Sequence, residues 1–383
     1  MPPRESPGSS LYSLTAGTLT EKQPFLGVQV TFPTLPQRAL TLLREPGNFQ
    51  PIQMRILVTG GCGYIGSVLV AALLNRGDEV VVLDDLWFGG DSVLPFFNFD
   101  GFGFIKGNLC ADGVLSHSMD GIDCVVHLAA VVGFPACEKA GRAAVWRTNV
   151  EGTAKVYETA CRAGVKRLVF ASSYSNYGES EQGELMTEES PLSPKSLYAE
   201  SKIEAERFLL SQKNHHCTVP VCLRLATVFG LSPRTRFDLI VNQFVLQAFT
   251  AGKLVIYQED FKRSFVHVRD VARAVLCTLD ASLEKVRNQV FNVGSEQLNT
   301  TKQELAQLIR NRLPDVKLEY HETAFAADMR SIHVSFEKIR NTLQFETRVS
   351  LDEGIAELIQ ALRDGIIHQP TSDRYRNHPP ILV

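Results

Sequence analysis

The sequence predicts an α/β fold, a doubly wound parallel sheet joined to a smaller mixed α/β part. Three observations predict it. Short apolar runs alternate with amphipathic helical patterns from Met54 to Leu225, the rhythm of a parallel sheet with helices on both faces. The first of these runs breaks into glycines that open a helix, and the second ends in an acid. Beyond Leu225 the rhythm changes to short strands mixed with helices.

Residues 1–53 are rich in Pro, Ser, Thr and Gly and show no sustained periodicity, so they are expected to be a flexible extension. They lack the charged start and apolar middle of a signal peptide, and Met54, directly before the first strand, is expected to open the folded protein. Residues 54–225 then read as a Rossmann domain with strands at Ile56–Thr59, Val80–Leu83, Gly103–Lys106, Cys124–His127, Leu168–Ala171 and Val219–Leu223. Helical patterns lie between them at Tyr64–Asn75, Ala144–Ala163 and Leu197–Gln212. Ligands of such sheets bind outside the carboxyl ends of the strands, and Asp84, Asn108, Ser172, Ser173 and Thr227 are expected to follow those ends. Residues 226–368 are expected to bind substrate, with a return to the sheet near 264–293, and 369–383 to form a tail. In this second part helices are expected at Phe237–Thr250, Val271–Leu279, Thr301–Arg312, Phe336–Leu343 and Leu351–Arg363, and strands at Leu254–Tyr257, Val290–Val293 and Lys317–Tyr320.

The stretch Thr59-Gly-Gly-Cys-Gly-Tyr-Ile-Gly66 carries the first chemistry. Gly60 and Gly63 allow a turn in which a diphosphate lies against backbone N–H groups at the positive end of a helix, and Gly66 lets helix and strand pack closely. Asp84, about twenty residues on, suits hydrogen bonding to the ribose hydroxyls of NAD. No Arg or Lys follows it through Gly90 to neutralise the additional phosphate of NADP, so NAD is the expected cofactor.

Tyr198-Ala-Glu-Ser-Lys202 carries the second. At i and i+4 the two side chains lie on one helix face, so the ammonium can approach the phenol or bridge to it through the nicotinamide ribose. Lowering a phenol from about 10 to about 7 takes roughly 4 kcal/mol. A single positive charge at about 4 Å supplies about that much at an effective dielectric near 20. Tyr198 is therefore a candidate general base, and Ser173, in Ala171-Ser-Ser-Tyr-Ser175, a candidate to polarise a carbonyl or relay a proton. Ser172 and Ser175 read more simply as caps of the following turn.

Together these pieces resemble the extended short-chain dehydrogenases/reductases, and within them the NAD-dependent epimerase/dehydratase group acting on nucleotide sugars. The resemblance spans roughly Met54 to Ile366 and rests on the glycine turn, Asp84, His127-Leu-Ala-Ala130, Asn149, Ser173, Tyr198 with Lys202, and Arg263-Ser-Phe-Val-His-Val-Arg-Asp270. The spacing from Ser173 to Tyr198 is similar to that of UDP-galactose 4-epimerases. The resemblance implies that Ser173, Tyr198 and Lys202 are catalytic. It further implies that Tyr64, Ile65, Asp84, Asp85, Asn108, Leu109, Leu128, Ala129, Ala130 and Asn149 join the glycines, Tyr198 and Lys202 around NAD. Substrate would meet Ser173, Thr227, Arg263 and Arg330, the two arginines on its diphosphate; without the resemblance both read as surface charge. The 4,6-dehydratases of the group carry an Asp-Glu pair where this chain has Tyr174 and Ser175, and decarboxylases keep the Glu, which disfavours elimination. Val132 stands where the galactose epimerases have a diphosphate-contacting Lys, and Thr227 where they have a substrate-contacting Asn, which leaves the sugar open.

The resulting expectation is a nucleotide-sugar epimerase working by transient oxidation at C4. A net reductase or dehydrogenase of a 4-keto or 4-hydroxy nucleotide sugar is the alternative, and a non-catalytic dinucleotide sensor a third reading. With 383 residues, 44% hydrophobic and 21% charged, the chain can bury a large core, and its net charge of -3 gives no footprint for nucleic acid or an anionic membrane. A cytoplasmic homodimer is expected. The eight cysteines include no Cys-x-x-Cys pair, so neither a disulfide nor a structural metal is expected. His127 and His267 read as structural, and His215-His216 has no third ligand nearby in sequence.

Overall fold

In the computed structural model the described residues are 53–111, 113–178, 185–212, 217–321 and 332–377. The extension up to residue 52, His215-His216, Arg330 and the tail beyond residue 377 lie outside them. The apolar runs form a seven-stranded parallel sheet of β1 (Arg55–Thr59), β2 (Glu79–Asp84), β3 (Phe102–Lys106), β4 (Cys124–His127), β5 (Arg167–Ser173), β6 (Val219–Leu225) and β7 (Val290–Val293). The order is β7-β6-β5-β4-β1-β2-β3, which makes β1 and β4 neighbours although β2 and β3 intervene in the chain. Val58 faces Val82 on one side and Val126 on the other, so the strands that flank the reversal end level. That reversal opens a crevice at their carboxyl ends.

Two strands run further than their apolar residues suggest. The β5–β6 ladder continues through Ser172 opposite Arg224 and Ser173 opposite Leu225. Ser172 and Ser173 are therefore the last residues of a strand and do not follow its end as expected from sequence. The apolar run stops before the ladder because the polar ends are partnered: Ser172 Oγ donates to Glu206 Oε2 at 2.8 Å, and buried Glu206 pairs with buried Arg224. Asp84 likewise ends β2 from within.

Helix α1 (Tyr64–Arg76) follows β1, α2 (Gly152–Arg162) leads to β5, and α3 (Leu197–Ser211) lies between β5 and β6. The single helix expected over Ala144–Ala163 is broken into Arg142–Trp146, a π-helical turn Arg147–Glu151, and α2. One sheet face packs Val58, Leu69, Val126, Val169, Leu223 and Val271 together, and the other Leu57, Leu83, Val125, Leu168, Phe170 and Leu209. A separate core of Phe229, Phe237, Val245, Leu305, Ile355 and Leu358 joins α4 (Ile240–Ala251), α6 (Lys302–Arg312) and α7 (Leu351–Arg363). Helix α5 (Val268–Asp280) instead turns Val271 and Val275 onto the large sheet's core, behind α1. Strand Lys253–Tyr257 pairs with Lys317–His321, and Thr227–Phe229 with Phe265–His267.

The expectation of no disulfide is corrected. Cys161, at the end of α2, is bridged to Cys217, ahead of β6, with their Cα atoms 5.0 Å apart. The two lie 56 positions apart, with β5 and α3 between them, so only the fold brings them together. The other six cysteines are free.

Candidate active site

The glycine turn is built by close approach. Gly60 has φ +73°, and a Cβ there would lie 2.7 Å from the backbone nitrogen of Ala129, so β1 can turn against the loop after β4 only without a side chain. A Cβ on Gly66 would overlap the Gly60 carbonyl. Gly63 is the N-cap of α1 and no side chain caps that helix, which leaves the N–H groups of its first turn for a ligand. They open on a cavity of ≈ 1010 Å³ that also exposes Tyr64, Ile65, Asp84, Asp85, Asn108, Leu109 and Leu128 to Ala130. Asp84 is held by the backbone N–H groups of Cys62 at 3.0 Å and Leu86 at 2.8 Å, and burial raises its pKa despite those bonds. An uncapped helix start with glycines against it and an anchored acid at the next strand end fits a dinucleotide.

Asn149 is the exception among the residues expected around the cofactor. It is buried behind the cavity wall, where its carbonyl accepts from Val131 N at 2.8 Å and its amide donates to Val131 O and Ser201 Oγ. The π turn supplies the reason: it projects Asn149 from the helix so that it ties the loop after β4 to α3. His127 is buried and neutral, its pKa driven down to about 3 by burial and by Lys202. Thr153 donates to Asn149 O, so His127 must donate from Nε2 to Thr153 Oγ1 at 3.0 Å and accept at Nδ1 from Thr59 at 2.7 Å. Its role is structural.

The second motif converges on the same cavity from α3, whose N-cap Ser196 accepts from Ala199 N at 3.2 Å. That cap starts the helix so that Tyr198 and Lys202 both face the cavity. Ser173 adjoins Tyr198 closely enough to lower the phenol's pKa, and its own hydroxyl is hydrogen-bonded to Ser175 Oγ at 2.8 Å. Burial, with Cys137 adding to it, pushes the phenol up to about 12, while Arg236 and Ser173 pull the other way. Lys202 does not sit on the phenol. Its Nζ donates to Ala171 O at 2.8 Å and lies 4.6 Å from the centre of the Phe170 ring, and burial brings its pKa down to about 8. Of the two arrangements open from sequence, direct pairing is thus not adopted, and the bridge through a ribose remains. The turn-capping serine is Ser173 itself, which accepts from Ser175 N at 3.2 Å.

Thr227 and Arg263 line the cavity further out, and Thr227 bonds to the hydroxyl of Tyr174 at 2.7 Å. The loop after Phe229 adds side chains that no motif marks. Arg236 is buried, makes a two-pronged pair with Asp238 at 3.0 and 2.7 Å, and has a terminal nitrogen 3.8 Å from where a Cβ of Gly133 would be. The only trace of this in the sequence is the charge cluster Arg234-Thr-Arg236-Phe-Asp238, set between apolar stretches just past a strand end. Among the described residues no group of three or more His, Cys, Asp or Glu side chains is placed to hold a metal, and no helix is long and apolar enough to cross a membrane.

Comparison with known proteins places the chain among relatives of one family. A dTDP-glucose 4,6-dehydratase of Streptomyces niveus is 28% identical over 81% of this chain and 93% of its own length. A UDP-glucose 4-epimerase of Streptomyces lividans is 30% identical over 58% of this chain and 70% of its own. The structure of MoeE5 in complex with UDP-glucuronic acid and NAD superposes with a TM-score of 0.70 at 29% identity, covering 81% of this chain and 99% of that one. Residues 56–294 match the model of one family, and the chain belongs to it: the NAD-dependent epimerase/dehydratase family.

Proposed function

We propose that this protein is a nucleotide-sugar 4-epimerase that oxidises C4 of the sugar transiently and reduces it again. The observation that carries the reading is the acid content of the cavity. Three carboxylates line it among the described residues: Asp84 and Asp85 at the β2 end, and Asp238, paired with Arg236. Beside Ser173 stand Tyr174 and Ser175, so no carboxyl group adjoins the catalytic hydroxyl to remove a proton from C5 and expel water. The dehydratase among the relatives is named for such a loss of water; this cavity is equipped to move a proton at one hydroxyl only.

In this reading Gly60, Gly63 and the first turn of α1 hold the dinucleotide diphosphate, and Asp84 its ribose. Bound NAD would supply the hydride acceptor and later the donor. Tyr198 Oη, once ionised, would take the proton of the C4 hydroxyl and return it, with Arg236 lowering the cost of that ionisation; Ser173 would donate to the same C4 oxygen, and Lys202 stays one turn away to meet the nicotinamide ribose. Arg263 faces the substrate diphosphate. Tyr174 and Thr227, bonded to each other, form the wall that the sugar turns against. Asn149 positions the Val131 loop and touches neither ligand. The reading includes a cytoplasmic homodimer, for which light scattering and cell fractionation are the tests.

The deciding experiment incubates the purified protein with a panel of nucleotide sugars, with analysis of the sugar recovered and of nicotinamide absorbance. Interconversion of two 4-epimers with no net change in reduced nicotinamide is the expected result. A change in reduced nicotinamide matching the substrate consumed would instead establish a reductase or dehydrogenase. Recovery of a 4-keto-6-deoxy sugar would sink the proposal.

A further inference from the structure

Beyond α7 the chain runs back to the wall of the cavity. The backbone N–H of Phe237 donates to Tyr375 O at 2.8 Å, and the two rings meet edge to face with centroids 5.8 Å apart. Asn377 donates from its backbone to Asp238 at 3.2 Å and from its side chain to Val132 O at 3.4 Å. Arg374 pairs with Asp91 at 3.1 Å. This strap therefore joins three loops that border the cavity, and two of its own side chains, Arg376 and Asn377, enter the lining.

The polar atoms there are incompletely used. Arg234 is only 7% exposed, and its Nε, like that of Arg376, is buried without a hydrogen-bond partner among the described residues. Arg234 donates from Nη2 to Arg376 O at 3.1 Å and stacks 4.1 Å above the ring of Phe88, in the loop after Asp84. Neither guanidinium has a carboxylate in ion-pair range among the described residues, because the nearby Asp238 is taken by Arg236. Burial, reinforced by Arg236 and opposed by Asp238, drives the Arg234 pKa down to about 10, the mark of a cation short of an anion. The loop that carries Arg234 also rests on the start of α1. Ser232 Oγ donates to Tyr64 O at 2.7 Å, and Tyr64 Oη donates to Gly230 O at 2.8 Å.

We propose that Arg234 and Arg376, linked through the backbone of the C-terminal strap, form a phosphate oxyanion site in the wall of the cavity. Two ligands of this cavity would bring such a group, the dinucleotide and the nucleotide sugar. The hydrogen bonds from the Arg234 loop to Tyr64 in the first turn of α1, and the stack of Arg234 on Phe88, favour the dinucleotide diphosphate. The inference rests on the cavity's taking a dinucleotide and not on which sugar reaction follows.

Equilibrium dialysis of the full chain against NAD, adenosine and UDP-glucose tests it, on wild type, Arg234→Gln, Arg376→Gln and the double variant, with thermal melts to confirm that each is folded. Loss of a charge-assisted bond predicts a rise of about tenfold or more in the Kd for NAD in each single variant, with the Kd for adenosine unchanged. The corresponding Arg→Lys variants keep the charge and recover part of the loss. A rise confined to UDP-glucose would keep the oxyanion site and assign it to the sugar nucleotide. Folded variants that bind both NAD and UDP-glucose as tightly as wild type would overturn the site and leave the epimerase reading intact. Wild type that binds no NAD would overturn both.

Discussion

Lys202 is buried and Tyr198 half-buried in the cavity wall, and loss of solvent moves each toward its neutral form, the phenol up to about 12 and the ammonium down to about 8. For Tyr198 in the proposed reaction, the consequence is that the proton it would hand back is held firmly. Tyr198→Phe keeps the ring and removes that proton, so kcat should fall by about 10²–10⁴-fold, with nucleotide-sugar binding by calorimetry within a few-fold of wild type. For Lys202 the consequence concerns stability. The unfolded lysine holds its proton up to about 10.5 and the folded one only to about 8, so below pH 8 the fold bears the whole cost of a buried charge. Between those values stability rises with pH, and above them the penalty is gone. Lys202→Met should therefore abolish turnover yet stabilise the fold by up to about 3 kcal/mol at neutral pH. Urea unfolding should show that gain disappearing above pH 10.5; a variant less stable than wild type at pH 7 would refute this account. The i, i+4 spacing showed that the two groups share a helix face. It could not show that the ammonium prefers Ala171 O, because that partner belongs to β5.

At the scale of elements, what was legible in the sequence is what depends on near neighbours. Gly60 to Gly66 and Asp84 lie within one βαβ unit, and α7 spans Leu351–Arg363 as its apolar spacing predicts. What was hidden depends on partners far along the chain. The two extra residues of β5 exist because Ser172 meets Glu206, and Glu206 meets Arg224, across the α3–β6 connection. The π turn is marked by no residue of its own; a helix pattern cannot tell that Asn149 must reach Val131 and Ser201. Arg224 also donates to Tyr177 Oη at 2.9 Å, so the Glu206–Arg224 pair anchors both the end of β5 and the turn after it. Glu206→Ala would leave that guanidinium buried without its carboxylate, at a cost of about 3–5 kcal/mol. A urea midpoint within error of wild type would show that this anchor contributes little.

At the scale of the whole molecule, a chain of net charge -3 concentrates Arg234, Arg236, Arg263, Lys302 and Arg376 around one cavity. Such a cavity draws anionic ligands by local field against an acidic background, and salt screens that field. The value of kcat/KM for a nucleotide sugar should fall steadily as sodium chloride is added, while that for the double variant at Arg234 and Arg376 should fall less steeply; parallel slopes would count against a field made by these residues. The sheet has a further consequence at this scale. Its outermost strand, Val290–Val293, comes from well beyond the change of rhythm at Leu225, and it covers β6 on the side away from β5. Dividing the gene at that change of rhythm would strip the cover from β6 and present a bare row of amides and carbonyls to any passing chain. Neither half is a severable module: expressed alone, residues 54–225 should self-associate, and supplying the remainder in trans should suppress it.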